Sequence, residues 1–293
     1  MKKLLRLHSQ KILWGVAATL AAAVLVVWGE VLAAAAQPEL RIYFFDVGQG
    51  DAALIEARDG TQILIDGGPD GTIMSRLSSV LPYYDRSLDA VIISHPHVDH
   101  ISGLLEVLKR FEIGTVFESG VLYHTAEAME LQNIFSEKEI ARTVIDHPAT
   151  AQFFNGASIR FVTPQKSFAD AKLKNVHDAM LVFELEYRGK KILFMGDAEK
   201  NSEHALVSQN TVGDVDVLKA GHHGSKTSSQ SYFLQHIKPE YAIVSSGKNK
   251  YGHPNPDALS RLAAAGASVL RTDLGGTVVV EFRDGDFFVR TEK

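Results

Sequence analysis

Residues 93–104 read ISHPHVDHISGL and place three histidines and one aspartate within six positions. Imidazole and carboxylate are the donors that Zn, Mn and Fe accept when thiolate is absent, and the chain has no cysteine. Any metal site must therefore be built from His, Asp and Glu, and no disulfide framework supports the fold. His95 and His97 lie two apart in a stretch that reads as extended, so their side chains can leave on the same side, with Pro96 stiffening the link. Asp99 and His100 leave the turn in another direction. One short peptide could thus offer ligands to two ions. Four ligands do not complete two shells, so other parts of the chain must supply the rest.

The elements that hold such groups can be traced outward from the cluster. The strand LDAVIISH ends at His95, and its nearly continuous apolar run predicts burial on both faces. ISGLLEVLKRF has helical spacing, which sets Asp99 and His100 at a helix entrance. Before them, LRIYFFDV, AALIEA and QILIDGG read as strands closed by Gly or Asp. After them, AMLVFELEYRGKKILFMGD reads as a hairpin turning at YRGK, which delivers Asp197 to a strand end. DVDVLKAG is a strand ending just before His222 and His223. SEHALVSQ, SSQSYFLQHI and PDALSRLAAAG read as helices. The polar residues 168–176 read as a mobile loop near the site. No short repeat and no Pro/Gly/Ser linker divides the chain. The expected architecture is α/β (α+β), with helices outside two central mixed sheets and residues 37–293 in one body.

Residues 1–36 differ from the rest. MKKLLRLHSQK carries four positive charges, residues 12–28 are uncharged and apolar, and Ala34 and Ala36 form a small-residue A-x-A close. That pattern is a secretory signal peptide or an uncleaved N-terminal membrane anchor, and either places the following domain outside the cytoplasm. The net charge is −5, and −8 without residues 1–36, which carry four basic residues and one acidic. Such an acidic body argues against generic nucleic-acid binding, although a bound dication would add local positive charge.

HPHVDH matches the H-x-H-x-D-H signature of the metallo-β-lactamase fold superfamily. FFDVGQGDAALIE, ILIDGG, FMGDAE, KAGHHGS and SSGKNKYGHP follow in the order of the hydrolase domain of the ComEC competence-protein family, which the chain resembles over residues 40–290. The phosphorylcholine esterase domain is similar too. The many membrane helices of a full competence channel are absent from these residues.

The resemblance implies an αββα sandwich and a role for each motif. His95 and His97, with His177 as a third imidazole, would hold one ion. Asp99 and His100 would hold the other, with His253 closing its shell and Asp197 bridging both. His222 would face the substrate and donate to a phosphoryl or leaving-group oxygen, while His223 packs nearby. Asp46 and Asp66 would orient metal-binding histidines; Asp51 reads equally well as turn chemistry. Lys226 and Lys248 flank two motifs and could meet a phosphate.

The function implied is an exported hydrolase with two divalent ions, Zn or Mn, acting on a phosphodiester, with DNA as one candidate. The alternatives are an envelope phosphoester of the phosphorylcholine type, a β-lactam, or no turnover at all in an envelope binding protein. No protein partner is evident, and a membrane partner follows only if residues 1–36 stay attached.

Overall fold

The structure, a computed structural model, describes residues 2–35, 37–173 and 175–293. The chain falls into two units, residues 1–39 and 40–293. The first is a single helix, α1 (Lys2–Ala35). No helix among the described residues is long and apolar enough to cross a membrane. Ala36 of the A-x-A pair lies outside the described residues, as does Lys174 of the 168–176 loop.

The second unit is built on two mixed sheets. The chain opens the first with β1 (Leu40–Phe44), β2 (Ala53–Ala57), β3 (Gln62–Ile65), β4 (Ser87–Ile92), β5 (Glu112–Glu118) and β6 (Arg142–Val144). It then lays down the second with β7 (Ala149–Gln152), β8 (Ser158–Phe161), β9 (Phe183–Tyr187), β10 (Lys190–Phe194), β11 (Val217–Lys219), β12 (Tyr241–Val244) and β13 (Ser268–Arg271). Finally β14 (Val278–Arg283) and β15 (Asp286–Thr291) return to the first. The orders are β15-β14-β1-β2-β3-β4-β5-β6 and β13-β12-β11-β10-β9-β8-β7. Strands β3 to β6 run parallel, as do β10 to β13, and the flanking pairs are antiparallel.

Period-two alternation sorts the side chains into layers. Leu40, Ile42 and Phe44 of β1 face Phe161, Phe183 and Phe194 of the second sheet across a shared core. The rings of Phe44 and Phe194 stack at 5.5 Å, and those of Phe183 and Phe194 at 4.8 Å. Tyr43 and Phe45 point the other way, under α2 (Thr72–Val80), α3 (Val98–Arg110) and α4 (Ala126–Glu137). The second sheet is covered outside by α5 (Lys200–Ser208), α6 (Ser231–Ile237) and α7 (Pro256–Ala264). This is the αββα sandwich expected from the sequence. Both faces of each sheet are covered, which is why LDAVIISH is apolar at consecutive positions.

Two local features place the site. In α3, Ile101, Leu104, Val107 and Leu108 form one buried stripe. That stripe seats the helix on the first sheet, so Asp99 and His100 enter at its N-terminal turn. The hairpin β9–β10 turns through Arg188 and Gly189, both at positive φ (53° and 77°), as a two-residue turn requires. Its register sets Phe194 opposite Phe183 and brings Asp197 to the same rim of the sandwich. Residues 168–176 are tied down in part: Leu122 N–H donates to Ala171 O at 3.0 Å, and Asp170 N–H to Gly120 O at 3.0 Å.

Candidate metal centre

The chemistry-bearing residues collect where strands of both sheets end. Asp66 follows β3, His95 follows β4, Asp197 follows β10, and His222 and His223 follow β11. In open sheets, ligands collect beyond the carboxyl ends of parallel strands, and here two sheets offer such ends to one rim. The β1–β2 turn closes from the side. Asp51 N–H donates to Asp99 O at 3.3 Å. At Gly50, φ is 155° and a Cβ would fall 2.3 Å from Asp99 O, so only glycine allows the DVGQGD turn to press on the head of α3.

Two groups of four ligands share one carboxylate. His95, His97, His177 and Asp197 form the first, and Asp99, His100, His223 and Asp197 the second. Within each, the candidate ligand atoms lie within 4.8 Å of one another. His95 Nε2 is 3.6 Å from Asp197 Oδ2, while His100 Nε2 and His223 Nε2 are 3.3 and 3.4 Å from Asp197 Oδ1. His177 Nε2 and His97 Nδ1 approach to 3.3 Å. The two oxygens of Asp197 therefore face different groups.

Buried carboxylates orient the imidazoles from behind. Asp66 Oδ2 accepts from His100 Nδ1 at 2.8 Å and from Ser94 Oγ at 2.6 Å, and its Oδ1 accepts from Ser94 N–H at 2.8 Å. His223 Nδ1 donates to Ser245 O at 3.1 Å with Asp51 Oδ1 3.2 Å away, and Lys219 Nζ donates to Asp51 Oδ2 at 2.7 Å. Each pair turns Nε2 of its histidine toward Asp197. His222 and His223 are both in left-handed backbone, with φ of 47° and 52°. That conformation is uncommon for residues with a Cβ and is retained where the surroundings fix it. It sends the two adjacent rings to different places.

The donor set fits divalent cations. His95 Nε2, His100 Nε2, His223 Nε2 and Asp197 Oδ1 are buried without an aligned hydrogen-bond partner, and all four converge. Buried polar atoms are ordinarily satisfied, so four converging exceptions call for an ion. Burial holds His95 well below the ordinary imidazole range and pulls His97 down to about 4, with His100 and His177, respectively, the next cause. Burial also lowers His177. These are neutral imidazoles, the form that ligates. Burial, the largest single cause, would lower His100 and His223 as well, but Asp197 together with Asp66 at His100, and with Asp51 and Asp99 at His223, outweighs it, and His223 rises to about 10. Asp197 is held far below the carboxylate range because His223 and His100 outweigh its burial. A dication in the second group would take the place of those protons.

Several expectations need correction. His253 is not in the second group; His223 stands where His253 was expected. The ring of His253 lies beside that of His222, 5.4 Å between centroids, and its backbone is bound to Asn249. Asp46 orients no histidine: its Oδ1 accepts from Gly48 N–H at 3.4 Å and its Oδ2 pairs with Arg76. Asp51 holds the orienting position instead. Lys226 is exposed and pairs with Asp257 at 3.4 Å. His222 stays outside both groups and is a quarter exposed, with Nε2 3.7 Å from Asp197 Oδ2.

The sequence reading missed Glu199, Lys219 and Tyr251. Glu199 Oε1 accepts from His222 Nδ1 at 2.9 Å and from Thr227 Oγ1 at 2.5 Å. Its place two residues after Asp197 was the available signal. Gln49, Pro69, His97, Asp99, His222 and Tyr251 line a cavity of about 400 Å³ that also reaches Asp197 and His253.

Residues 45–248 match the family described as the metallo-beta-lactamase superfamily. The chain is similar to Recombination protein 2 of Haemophilus influenzae, 30% identical over 84% of this chain and 29% of the relative. It is similar to Competence protein ComA of Neisseria gonorrhoeae, 29% identical over 82% of this chain and 32% of the relative. It thus spans about a third of the length of these curated relatives. Among solved structures, the metallo-beta-lactamase fold protein YhfI from Bacillus subtilis superposes with a TM-score of 0.53 at 15% identity, covering 82% of this chain and 99% of that one. With its HPHVDH turn, its paired groups of candidate ligands and its two-sheet frame, the chain belongs to the metallo-beta-lactamase superfamily.

Proposed function

We propose that the protein is a metal-dependent phosphodiesterase that works outside the cytoplasm on nucleic acid. The observation that carries this reading is the single carboxylate, Asp197, turning one oxygen to each of two ligand groups, with His222 beside it in an open cavity. His95, His97 and His177 would hold one divalent ion, Asp99, His100 and His223 the other, and Asp197 both. Such a pair supplies Lewis acidity and lowers the pKa of water toward neutrality. His and carboxylate donors suit Zn and Mn alike.

The protein's own groups do the positioning. Asp66 fixes His100, and the Ser245 carbonyl, with Asp51 beside it, fixes His223, so that neither ring can turn away. Glu199 accepts from His222 Nδ1, which leaves Nε2 directed at the cavity. There His222 can donate to a phosphoryl oxygen and pass a proton to the departing oxygen. Thr227 holds Glu199 from the other side. The relatives' names, a recombination protein and a competence protein, support nucleic acid as the substrate. The pattern of residues 1–36 supports export.

The test is a substrate panel with and without chelator: bis-p-nitrophenyl phosphate, single-stranded DNA, p-nitrophenylphosphorylcholine and nitrocefin. Chelator-sensitive cleavage of the first two is expected. Turnover of nitrocefin alone would assign a lactamase, and turnover of the choline ester alone an envelope esterase.

A further inference from the structure

The loop after β12 is fixed more firmly than its exposure requires. Both polar ends of Asn249 are used inside it. Asn249 Nδ2 donates to Gly247 O at 2.7 Å and to His253 O at 2.6 Å, and its Oδ1 accepts from Tyr251 N–H at 2.9 Å and His253 N–H at 3.1 Å. At Gly247 a Cβ would fall 2.5 Å from Gly48 C, and Gly247 N–H donates to Gln49 Oε1 at 3.3 Å, so the loop is seated on the DVGQGD turn. This rigid frame displays Tyr251, which is 64% exposed and lines the same cavity as Asp99, Asp197 and His222. The ring lies nearly parallel to that of His253, at 24° and 6.0 Å.

Exposed aromatics are common and usually need no explanation. Tyr83 and Tyr84, for example, pack edge-on against each other at 5.5 Å and do not line the cavity that Tyr251 lines. Tyr251 is different in being held at the mouth of the ligand groups while remaining largely exposed. Its neighbours Lys248 and Lys250 are exposed, and among the described residues neither pairs with a carboxylate. Lys250 Nζ sits 5.6 Å from the Tyr251 ring. A quaternary ammonium is recognised by aromatic faces without competing cations. The Lys250 ammonium over this ring repels such a group, and with Lys248 exposed in the same loop it suits a planar base joined to phosphates.

We propose that residues 247–253 form a nucleotide-binding subsite, in which a base next to the scissile phosphate stacks on Tyr251 and the flanking phosphates meet Lys248 and Lys250. The subsite rests on the nuclease reading above and narrows it to strands whose bases are free to unstack. Stacking on an aromatic side chain tolerates every base, so the subsite adds affinity without sequence choice.

The test is binding and cleavage of a fluorescein-labelled oligothymidylate by the full chain. Binding is read by anisotropy in chelator, so that it reports on the protein's own residues. Tyr251→Ala is expected to weaken binding roughly ten-fold, and Tyr251→Phe to restore it. An oligomer carrying abasic sugars should bind wild type more weakly and be indifferent to Tyr251→Ala. Lys248→Gln with Lys250→Gln should flatten the dependence of affinity on salt. Cleavage of the oligomer by wild type, with equal binding by wild type and Tyr251→Ala, overturns the subsite and leaves the nuclease reading standing. Absence of both binding and cleavage in wild type overturns the two together. Impairment of p-nitrophenylphosphorylcholine turnover by Tyr251→Ala, with oligomer binding intact, overturns the subsite in favour of a choline site.

Discussion

Lys219→Met should expose how much the site depends on a buried ion pair. Lys219 is 4% exposed, donates to Asp51 Oδ2 at 2.7 Å and to Ala220 O at 3.2 Å, and joins the second sheet to the β1–β2 turn of the first. At an effective dielectric of 20, charges at that separation attract by about 6 kcal/mol, much of it offset by the desolvation of both groups. Removing one partner leaves the other buried and uncompensated, which costs about 3–5 kcal/mol. For a body of this size that is a fall in Tm of roughly 10 °C. Burial would raise the Asp51 carboxyl, but Lys219 and then His223 outweigh it and hold it below the carboxylate range. A depressed carboxyl contributes stability that is present above its unfolded pKa, about 3.9, and lost as pH falls toward the folded value. The gap between wild type and Lys219→Met should therefore be widest above about pH 4 and narrow in acid. Urea unfolding across pH measures it. Adding Asp51→Asn should recover about 1–2 kcal/mol, since the stranded charge is gone. Unfolding of Lys219→Met within about 1 kcal/mol of wild type, or strict additivity in the double variant, would refute the reasoning.

Three further outcomes follow from the same geometry. His223→Ala should cost the protein one of two bound divalent ions at equilibrium dialysis, whereas His253→Ala should retain both; the reverse pattern would restore His253 to the second group. Glu199→Gln should leave metal content intact and slow substrates with alkyl leaving groups by about 10–100-fold more than p-nitrophenyl esters, because His222 loses the carboxylate that supports its proton donation. An equal effect on both substrate types would remove that role. Glu203 is 1% exposed and accepts from Gln230 N–H at 2.9 Å and also from Ser229 N–H, yet burial pushes its carboxyl up to about 7. A raised carboxyl contributes stability that is full below its unfolded pKa and lost as pH rises through 7. Relative to Glu203→Gln, wild type should lose up to about 3 kcal/mol in urea unfolding between pH 5 and 8, and parallel profiles would contradict this.

The frame, and the placing of His95, His97, Asp99, His100 and Asp197 at one rim, were readable from the sequence because their signals are local. A strand with apolar residues at consecutive positions ends at His95, and the hairpin turn at Arg188–Gly189 fixes where Asp197 emerges. The contribution of each histidine beyond HPHVDH was harder to read. Choosing between His222, His223 and His253 depends on two consecutive left-handed residues, and no periodicity reports such a conformation. Asp46 and Asp51 sit at opposite ends of one Gly-rich turn, and only the fold shows that Asp51 faces inward to His223 while Asp46 faces Arg76. Lys219 looked like one residue of a strand because its partner is 168 positions away. Glu199 was visible as a carboxylate near Asp197, but its partner His222 comes from the next strand end.

If two ion-binding groups share Asp197 and hydrolyse phosphodiesters, as proposed, turnover must depend on both the ions and that carboxylate. The most direct measurement strips the full chain with chelator, titrates Zn or Mn back, and follows bis-p-nitrophenyl phosphate beside Asp197→Ala. Turnover is predicted to return with added ion and to be absent in Asp197→Ala at every ion concentration. Wild type that stays inactive with both ions, or Asp197→Ala that matches it, would contradict the account.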